Sequence, residues 1–208
     1  MEIERFIVGV GNSNSYVVSD KNKKSVIIDC GGDSDKILAY IQENNLVVEV
    51  IILTHYHFDH IMAVNKLQKE LGAKLLIHED DYSGLKDPNL NLSQMHSSAN
   101  LSLEADQLLT DEEIIEVGNL EFEIIHTPGH TPGSICIKVD DYLFTGDTIF
   151  KQAVGRTDFP GGNKKDLTDS IKDKLLAIES DLIILPGHFD KSSLNYEKKN
   201  NPFITNIN

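Results

Sequence analysis

The sequence predicts an α/β protein in which two β-sheets pack against each other and helices cover their outer faces. Two observations indicate this arrangement. Short apolar stretches typical of strands occur in runs, and stretches with helical spacing interrupt those runs. The chain has 208 residues, of which 40% are hydrophobic and 25% charged, so it can bury a sizeable core without disulfides. We therefore expect one domain that covers residues 1–208.

The first half of the chain alternates between predicted strands and predicted helices. A polar turn at residues 20–23 separates two antiparallel strands, and Asp33 or Ser34 is a candidate N-cap for the helix that follows. Gly72 is the expected end of a second helix. In order, the elements are strands around 7–18 and at 25–29, a helix through Ile37 and Ile41, a fully buried strand at Val47–Leu53, a helix from Ile61 to Leu71, and a strand at Lys74–Ile77.

The second half begins with a polar, irregular stretch at residues 82–112, in which only weak strands near the end are expected. Asp166 is a candidate N-cap for the one long helix predicted here. The later elements are a strand at Leu120–Ile125, a hairpin of Ser134–Val139 and Tyr142–Thr145, a helix at Leu167–Ile178, and a buried strand at Leu182–Leu185.

Charge and composition disfavour several classes of protein. A formal net charge of −14 disfavours nucleic-acid binding, which relies on Lys and Arg to replace counterions. The opening MEIERFIVGV lacks the basic start of a signal peptide, and no apolar run approaches a membrane span, so we expect a cytoplasmic protein without a membrane partner. Cys30 and Cys136 are expected to be reduced core thiols.

Histidine and aspartate concentrate in one hexapeptide directly after the predicted buried strand. His55, His57, Asp59 and His60 occupy a strand-to-helix loop, the position where open α/β sheets place their ligands. Burying this much polarity without partners is costly, and a metal ion supplies partners. Imidazole and carboxylate without thiolate favour zinc, iron or manganese, and are more typical of catalytic than of structural sites.

Three further candidate ligands follow later strands in segments rich in turn-forming residues. His130 stands in TPGHTPGS, Asp147 in TGDTIF and His188 in PGH. Together with the hexapeptide they exceed what one tetrahedral ion needs. We therefore expect two divalent metal ions, with zinc as the first choice and iron or manganese as alternatives.

At this point the sequence resembles a known family. The segments THYHFDH, TPGHTPGS, TGDTIF and PGH resemble the ordered metal motifs of the metallo-β-lactamase superfamily. The resemblance implies an α/β fold of the four-layer αββα sandwich type, with the site along one edge of the two sheets. It implies that one metal is held by His55, His57 and His130, the other by Asp59, His60 and His188, and that Asp147 bridges them.

A finer resemblance concerns the stretch from Gly155 to Gly162, GRTDFPGG, which is similar to that of small glyoxalase II-like hydrolases. It implies a thioesterase of the hydroxyacylglutathione hydrolase type, in which a metal-bridging hydroxide attacks the substrate. The partner is then a small thioester, with a glutathione conjugate as one candidate. Asp59 is the expected catalytic residue, which orients the hydroxide and accepts its proton.

Two features near the expected substrate entrance leave alternatives open. Arg156 could bind a carboxylate of the substrate, since Arg suits carboxylates, or it could brace a loop through Asp158. Phe189 and Asp190 stand where the small relatives usually have Gly-Pro, so the shape of the entrance is expected to differ from theirs.

Other reactions fit the same ligand pattern. GRTDF also resembles iron-dependent persulfide dioxygenases, which would be recognised by their iron content and oxygen consumption. A β-lactamase ranks lower because nothing in the sequence indicates secretion. A non-catalytic metal-binding module would bind metal tightly and turn over no thioester or ester. Fold alone does not decide among these reactions.

Overall fold

Two six-stranded sheets lie at the centre of the structure, a computed structural model that describes residues 1–95 and 100–205. The first sheet contains the first six strands in chain order. Strands β1 to β3 pair antiparallel, and β3 to β6 pair parallel. These strands are β1 Glu2–Val8, β2 Ser13–Ser19, β3 Lys24–Ile28, β4 Val47–Ile52, β5 Lys74–His78 and β6 Gln107–Leu109.

The second sheet has the strand order β14-β13-β10-β9-β8-β7. Only β10 and β13 pair parallel in it, so their carboxyl ends lie side by side. Strands β11 and β12 form a separate small hairpin. The ranges are β7 Ile114–Val117, β8 Leu120–His126, β9 Ile135–Val139, β10 Tyr142–Gly146, β11 Ile149–Phe150, β12 Ala153–Val154, β13 Ile183–Pro186 and β14 Ser192–Ser193.

Six α-helices accompany the sheets within the described part of the chain. They are α1 Ser34–Glu43, α2 Phe58–Ile61, α3 Val64–Leu71, α4 Tyr82–Lys86, α5 Lys164–Asp169, which continues as a π-helical segment Ser170–Leu175, and α6 Leu194–Asn200. Across residues 1–95 and 100–205, none of the helices has both the length and the apolar character needed to cross a bilayer.

Alternation along the strands divides the apolar residues among three cores. In β4, Ile52 packs with Phe122 and Phe144 of the second sheet, in the layer between the sheets. Its neighbour Ile51 faces the other way and packs with Ile37 of α1 and Leu67 of α3. A third core lies between the outer face of the second sheet and helices α5 and α6. These layers confirm the predicted αββα sandwich.

Most predicted elements are present, and Gly72 ends α3 with a φ of 66° as expected. Cys30 and Cys136 are buried and free, as predicted. The prediction of a fully buried strand from residue 47 is wrong at its start, because Val47 is 51% exposed where β4 emerges at the surface. The irregular stretch 82–112 contains α4, and strands β7, β11, β12 and β14 were not predicted individually.

One proposed helix cap is confirmed in position and the other is wrong. Asp33 is the N-cap residue of α1, but its side chain makes no capping hydrogen bond and accepts one from the Gly9 amide at 3.1 Å instead. The α5 helix starts earlier than predicted, so its cap is Asn163 and not Asp166. The Asn163 side chain accepts hydrogen bonds from the amides of Lys165 and Asp166.

Candidate metal centre

Backbone hydrogen bonds bring five chain segments to one edge of the sandwich. The amide of Ile135, at the start of β9, donates to the carbonyl of Thr54 after β4, which joins the two sheets. The Gly187 amide donates to the carbonyl of Gly146 at the end of β10, and the Asn14 amide donates to the carbonyl of Gly187. Because the parallel strands β10 and β13 end side by side, the residues that follow them meet the loop after β4.

The seven candidate ligands predicted from the sequence all lie at this edge. His55, His57 and His130 form one group whose potential ligand atoms lie within 4.8 Å of one another. Within it, Nδ1 of His57 and Nε2 of His130 are 2.8 Å apart. The group is buried, with side chains contributed by the loop after β4 and the loop between β8 and β9.

A second group consists of Asp59, His60 and His188. The Nε2 atoms of His60 and His188 are 3.2 Å apart, and Nε2 of His188 is also 3.2 Å from Oδ2 of Asp59. Asp59 and His60 belong to the short helix α2, which directs both side chains toward His188, two positions after β13.

Asp147 lies between the two groups. Its Oδ2 is 3.5 Å from Nε2 of His130, and also 3.5 Å from Nε2 of His188. Its Oδ1 is 3.5 Å from Nε2 of His60. One carboxylate therefore contacts members of both groups, an arrangement that suits two cations sharing a ligand.

Buried polar atoms without partners show that the residues fit a metal. Nε2 of His55, Nε2 of His57 and Oδ1 of Asp147 are buried and have no hydrogen-bond partner among the described residues. Buried polar groups nearly always have a partner, and ion binding accounts for some of the exceptions. The donor set of nitrogen and oxygen atoms is one that zinc, iron and manganese accept.

Asp29, which was not predicted as a site residue, orients two of the histidines. Its carboxylate accepts hydrogen bonds from the Thr54 amide, the Thr54 hydroxyl and Nδ1 of His60, each at 2.8 Å. The Thr54 hydroxyl is in turn 3.0 Å from Nδ1 of His55. Both histidines thus use Nδ1 for orientation and leave Nε2 for a metal. The only sequence feature that could have indicated Asp29 was an aspartate ending a buried strand.

A second buried carboxylate joins two loops of the centre. Asp81 accepts hydrogen bonds from the Tyr56 amide at 3.2 Å, the Thr131 hydroxyl at 2.7 Å and the Gly133 amide at 2.6 Å. Burial raises the pKa of Asp81 to about 7, although these three donors favour its ionised form. It therefore fixes the loop that carries His57 relative to the loop that carries His130. Nothing in the local sequence distinguishes Asp81 from its acidic neighbours.

The electrostatics of the edge favour a cation. Burial lowers the pKa of His55 and of His57 well below the usual histidine range, so both imidazoles are neutral and able to coordinate. Burial also lowers the pKa of His60, but the carboxylates of Asp29, Asp59 and Asp147 outweigh burial and raise it to about 10. The same concentration of negative charge attracts a metal ion.

Glycines surround the centre where the chain passes closest to it. A Cβ on Gly187 would lie 2.4 Å from Oδ1 of Asp147 and 2.8 Å from Cε1 of His60. Only a glycine therefore fits between β13 and His188 without displacing these side chains. The glycine of the Pro-Gly-His segment is thus a packing requirement of the site.

Arg156 lies at the surface beside the first group. Its guanidinium forms two hydrogen bonds of 2.7 Å with Asp158 and stacks 3.8 Å from the centre of the Phe159 ring. The Arg156 carbonyl accepts a hydrogen bond from Nδ1 of His130 at 2.8 Å. The loop that carries Arg156 thus holds a histidine of the centre through its backbone.

Two further histidines of the described residues, His78 and His126, lie apart from the centre. His78 and His126 stack on each other with their rings 3.9 Å apart, and together with Asp80 they form a separate group of potential ligands. Nε2 of His126, however, donates to the Pro132 carbonyl at 2.8 Å. His96 lies outside the described residues.

Proteins of similar sequence include metal-dependent hydrolases. A family model described as the metallo-β-lactamase superfamily matches residues 8–188. The chain is 35% identical to a probable metallo-hydrolase, YqgX, of Bacillus subtilis, with 98% of each chain covered. It is 34% identical to hydroxyacylglutathione hydrolase GloC of Haemophilus influenzae, again with 98% of each covered. These relatives support a hydrolase-type reaction.

Solved structures show the same fold. BLEG-1, a B3 metallo-β-lactamase, is 34% identical with a TM-score of 0.93, covering 98% of this chain and 100% of that one. TTHA1623, solved in a di-iron-bound form, is 31% identical with a TM-score of 0.84, covering 96% and 99%. ETHE1 from Myxococcus xanthus is 26% identical with a TM-score of 0.81, covering 100% and 90%. Fold, family model and relatives together show that the chain belongs to the metallo-β-lactamase superfamily.

Proposed function

We propose that this chain is a two-metal thioesterase of the glyoxalase II type. The proposal depends on the position of Asp147. Its single carboxylate lies 3.5 Å from histidines of two separate ligand groups. The similarity to a hydroxyacylglutathione hydrolase over nearly the whole chain supports a thioester as the substrate class.

The proposed ligand assignment follows the two groups. His55, His57 and His130 would hold one metal, Asp59, His60 and His188 would hold the other, and Asp147 would contact both. Divalent ions bound there would supply an activated water and polarise the substrate carbonyl. Zinc is the proposed metal, and the di-iron form of a structural neighbour makes iron the alternative.

Asp59 is the proposed catalytic residue. Burial raises the pKa of Asp59, but the charges of His60 and His188 outweigh burial and hold it below the usual aspartate range. Its carboxylate is therefore ionised at neutral pH. Oδ2 faces the proposed ligand His188, and the other oxygen, Oδ1, is the proposed acceptor of the proton. A thiolate leaving group needs little help from a general acid, because a thiol is already fairly acidic.

We propose that Arg156 binds a carboxylate of the substrate. The substrate carboxylate would then take the place of the Asp158 carboxylate in the hydrogen bonds of the guanidinium. The two hydrogen bonds of Arg156 with Asp158 equally support the role of a loop brace. A substrate role predicts that Arg156→Ala raises KM for a carboxylate-bearing thioester more than for a neutral one, whereas a brace predicts the same change for both.

The test of the proposed function is hydrolysis of S-D-lactoylglutathione by metal-replete protein. We expect turnover that falls by at least about a hundredfold in Asp59→Asn, since this removes both the proton acceptor and a proposed metal ligand. The matched control is Asp181→Asn, whose side chain only accepts a hydrogen bond from the Asn195 amide. Its turnover is expected to equal that of the wild type.

The competing reactions can be assayed with the same protein preparation. A folded, metal-replete sample that leaves every tested thioester intact contradicts the proposal. Oxygen consumption with a persulfide and an iron-loaded sample would then indicate a persulfide dioxygenase. Hydrolysis of a β-lactam would indicate the activity named for BLEG-1, a structure of TM-score 0.93 to this chain.

A further inference from the structure

Phe189, directly after His188, has an unusual backbone conformation. Its φ is 66°, in the left-handed region where glycine is favoured and a bulky side chain is rare. The side chain is nevertheless 68% exposed to solvent. A large apolar residue that is mostly exposed and held in a disfavoured conformation lowers the stability of the fold relative to glycine at this position. Such outliers are concentrated at functional sites.

The surrounding residues hold this conformation in place. The Phe189 carbonyl accepts hydrogen bonds from Nη1 of Arg5 at 3.1 Å and from Nδ2 of Asn14 at 2.9 Å. Arg5 also pairs with Asp190 at 3.3 Å. The backbone of Phe189 is therefore tied to the first sheet, which sets the place from which its ring projects.

That place is beside the metal centre. The rings of Phe189 and Phe150 meet edge to face with their centres 5.5 Å apart. The centre of each ring is also 6.2 Å from that of His188. The two phenylalanines thus form an apolar surface next to a proposed metal ligand, which we call the aromatic wall. Phe150 is 6% exposed, so Phe189 supplies most of the area open to a ligand.

Space is available near the wall. Lys151 and Asp190, which follow the two phenylalanines in sequence, both line a cavity of about 640 Å³ between β1 and β13. The inner lining of this cavity includes Ile3, Tyr16 and Leu185. An apolar group lying on the wall therefore has a partly apolar cavity close by.

We infer that the aromatic wall of Phe150 and Phe189 selects thioesters whose acyl group is apolar, with several carbon atoms or an aromatic ring. This rests on the proposed thioesterase function and specifies its substrate class. An acyl carbonyl at the metal centre would place the attached carbon chain next to His188, where the wall offers apolar contact. Short, hydroxylated acyl groups would gain less binding free energy from such a surface, because they bury less apolar area.

The first test compares acetyl and hexanoyl thioesters of one thiol on the metal-replete enzyme. The wild type is expected to show the higher kcat/KM for hexanoyl. In Phe189→Gly, a residue that suits the local φ and should fold, this preference is expected to fall by roughly tenfold. Ile114→Ala, which removes a comparably exposed apolar side chain on β7 (54%), is expected to keep the preference.

The outcomes separate the inference from the function on which it rests. If both thioesters are hydrolysed and Phe189→Gly keeps the wild-type preference, the inference is overturned while the proposed function stands. If neither is hydrolysed, the proposed function fails, and calorimetric binding of hexanoate against acetate still tests the wall. Weaker hexanoate binding in Phe189→Gly then supports the wall, and unchanged binding overturns it.

Discussion

At the scale of single residues, the centre depends on side chains that touch no metal themselves. Asp29 accepts three hydrogen bonds at 2.8 Å and fixes His60 directly and His55 through Thr54. It is 2% exposed and has a φ of 55°, so the backbone bends at this point to present the carboxylate. Orientation of this kind determines which ring nitrogen each histidine offers.

Replacing Asp29 by Asn tests this role. The amide group would place a donor against the Thr54 hydroxyl and Nδ1 of His60, so His60 would lose its preferred tautomer. We expect metal affinity to fall about 10- to 100-fold, measured by competition with a chromogenic chelator.

The control for this prediction is Asp106→Asn. Asp106 also accepts a backbone hydrogen bond, from Leu75 at 2.8 Å, but lies outside the centre. Its metal affinity should match that of the wild type. Equal affinities in Asp29→Asn and the wild type would show that Asp29 has no orienting role.

At the scale of elements, helix α5 begins at the cap residue Asn163, whose backbone also contacts the loop that carries His130. The Asn163 side chain accepts from the amides of Lys165 and Asp166, and the Asn163 amide donates to Gly129, next to His130. The start of α5 is therefore joined to the loop that carries a proposed ligand.

Asn163→Ala is expected to lower the free energy of unfolding by about 1 kcal/mol, measured by urea denaturation, because two helix amides lose their acceptor. Asn163→Asp keeps an acceptor and should stay close to the wild type. Asp166→Ala removes only a charge in the first turn, so it should lower the free energy of unfolding less than Asn163→Ala does. The reverse order would mean that Asp166 is the effective cap.

A stacked pair of histidines joins the ends of β5 and β8. His78 is 3% exposed, and its ring lies 3.9 Å from that of His126. Burial and the neighbouring His126 lower the pKa of His78 from 6.5 to about 4, partly opposed by Asp80 and Asp111. The folded protein therefore binds this proton less readily than the unfolded chain. The stabilisation is fully present above pH 6.5 and is lost as the pH falls toward 4.

His78→Asn should reduce this acid sensitivity. Asparagine can still accept the hydrogen bond that Nδ1 of His78 receives from the Asp80 amide, but it does not titrate. We expect the denaturation midpoint of the variant to change less than that of the wild type between about pH 7 and pH 5. Midpoints that fall in parallel would assign the acid sensitivity to other groups.

At the scale of the whole molecule, regular patterns made the architecture predictable. Neighbouring residues alone predict a strand before His55, a helix with the apolar spacing of α3, and the end of that helix at Gly72. The structure confirms these three elements. The cluster of His55, His57, Asp59 and His60 was recognisable because four potential metal ligands within six positions rarely occur together by chance.

Features that depend on contacts across the fold were not predictable. Asp29 and Asp81 act on loops 25 or more positions away, so nothing beside them in sequence marks their roles. Asn163 lies one position before a lysine pair that does not resemble a helix start. Phe189 has a left-handed φ, and its carbonyl is bound by Arg5 and Asn14, each more than 170 positions away.

Seven side chains at the edge of the sandwich are expected to hold two metal ions. The most direct measurement of this is an anomalous difference map from crystals of the metal-replete protein, collected at the absorption edge of the bound metal. We predict two peaks about 3.5–4 Å apart. One should lie among His55, His57 and His130, the other among Asp59, His60 and His188, with Asp147 between them. No peak at this edge, or a single peak outside both groups, would contradict the assignment of a two-metal centre.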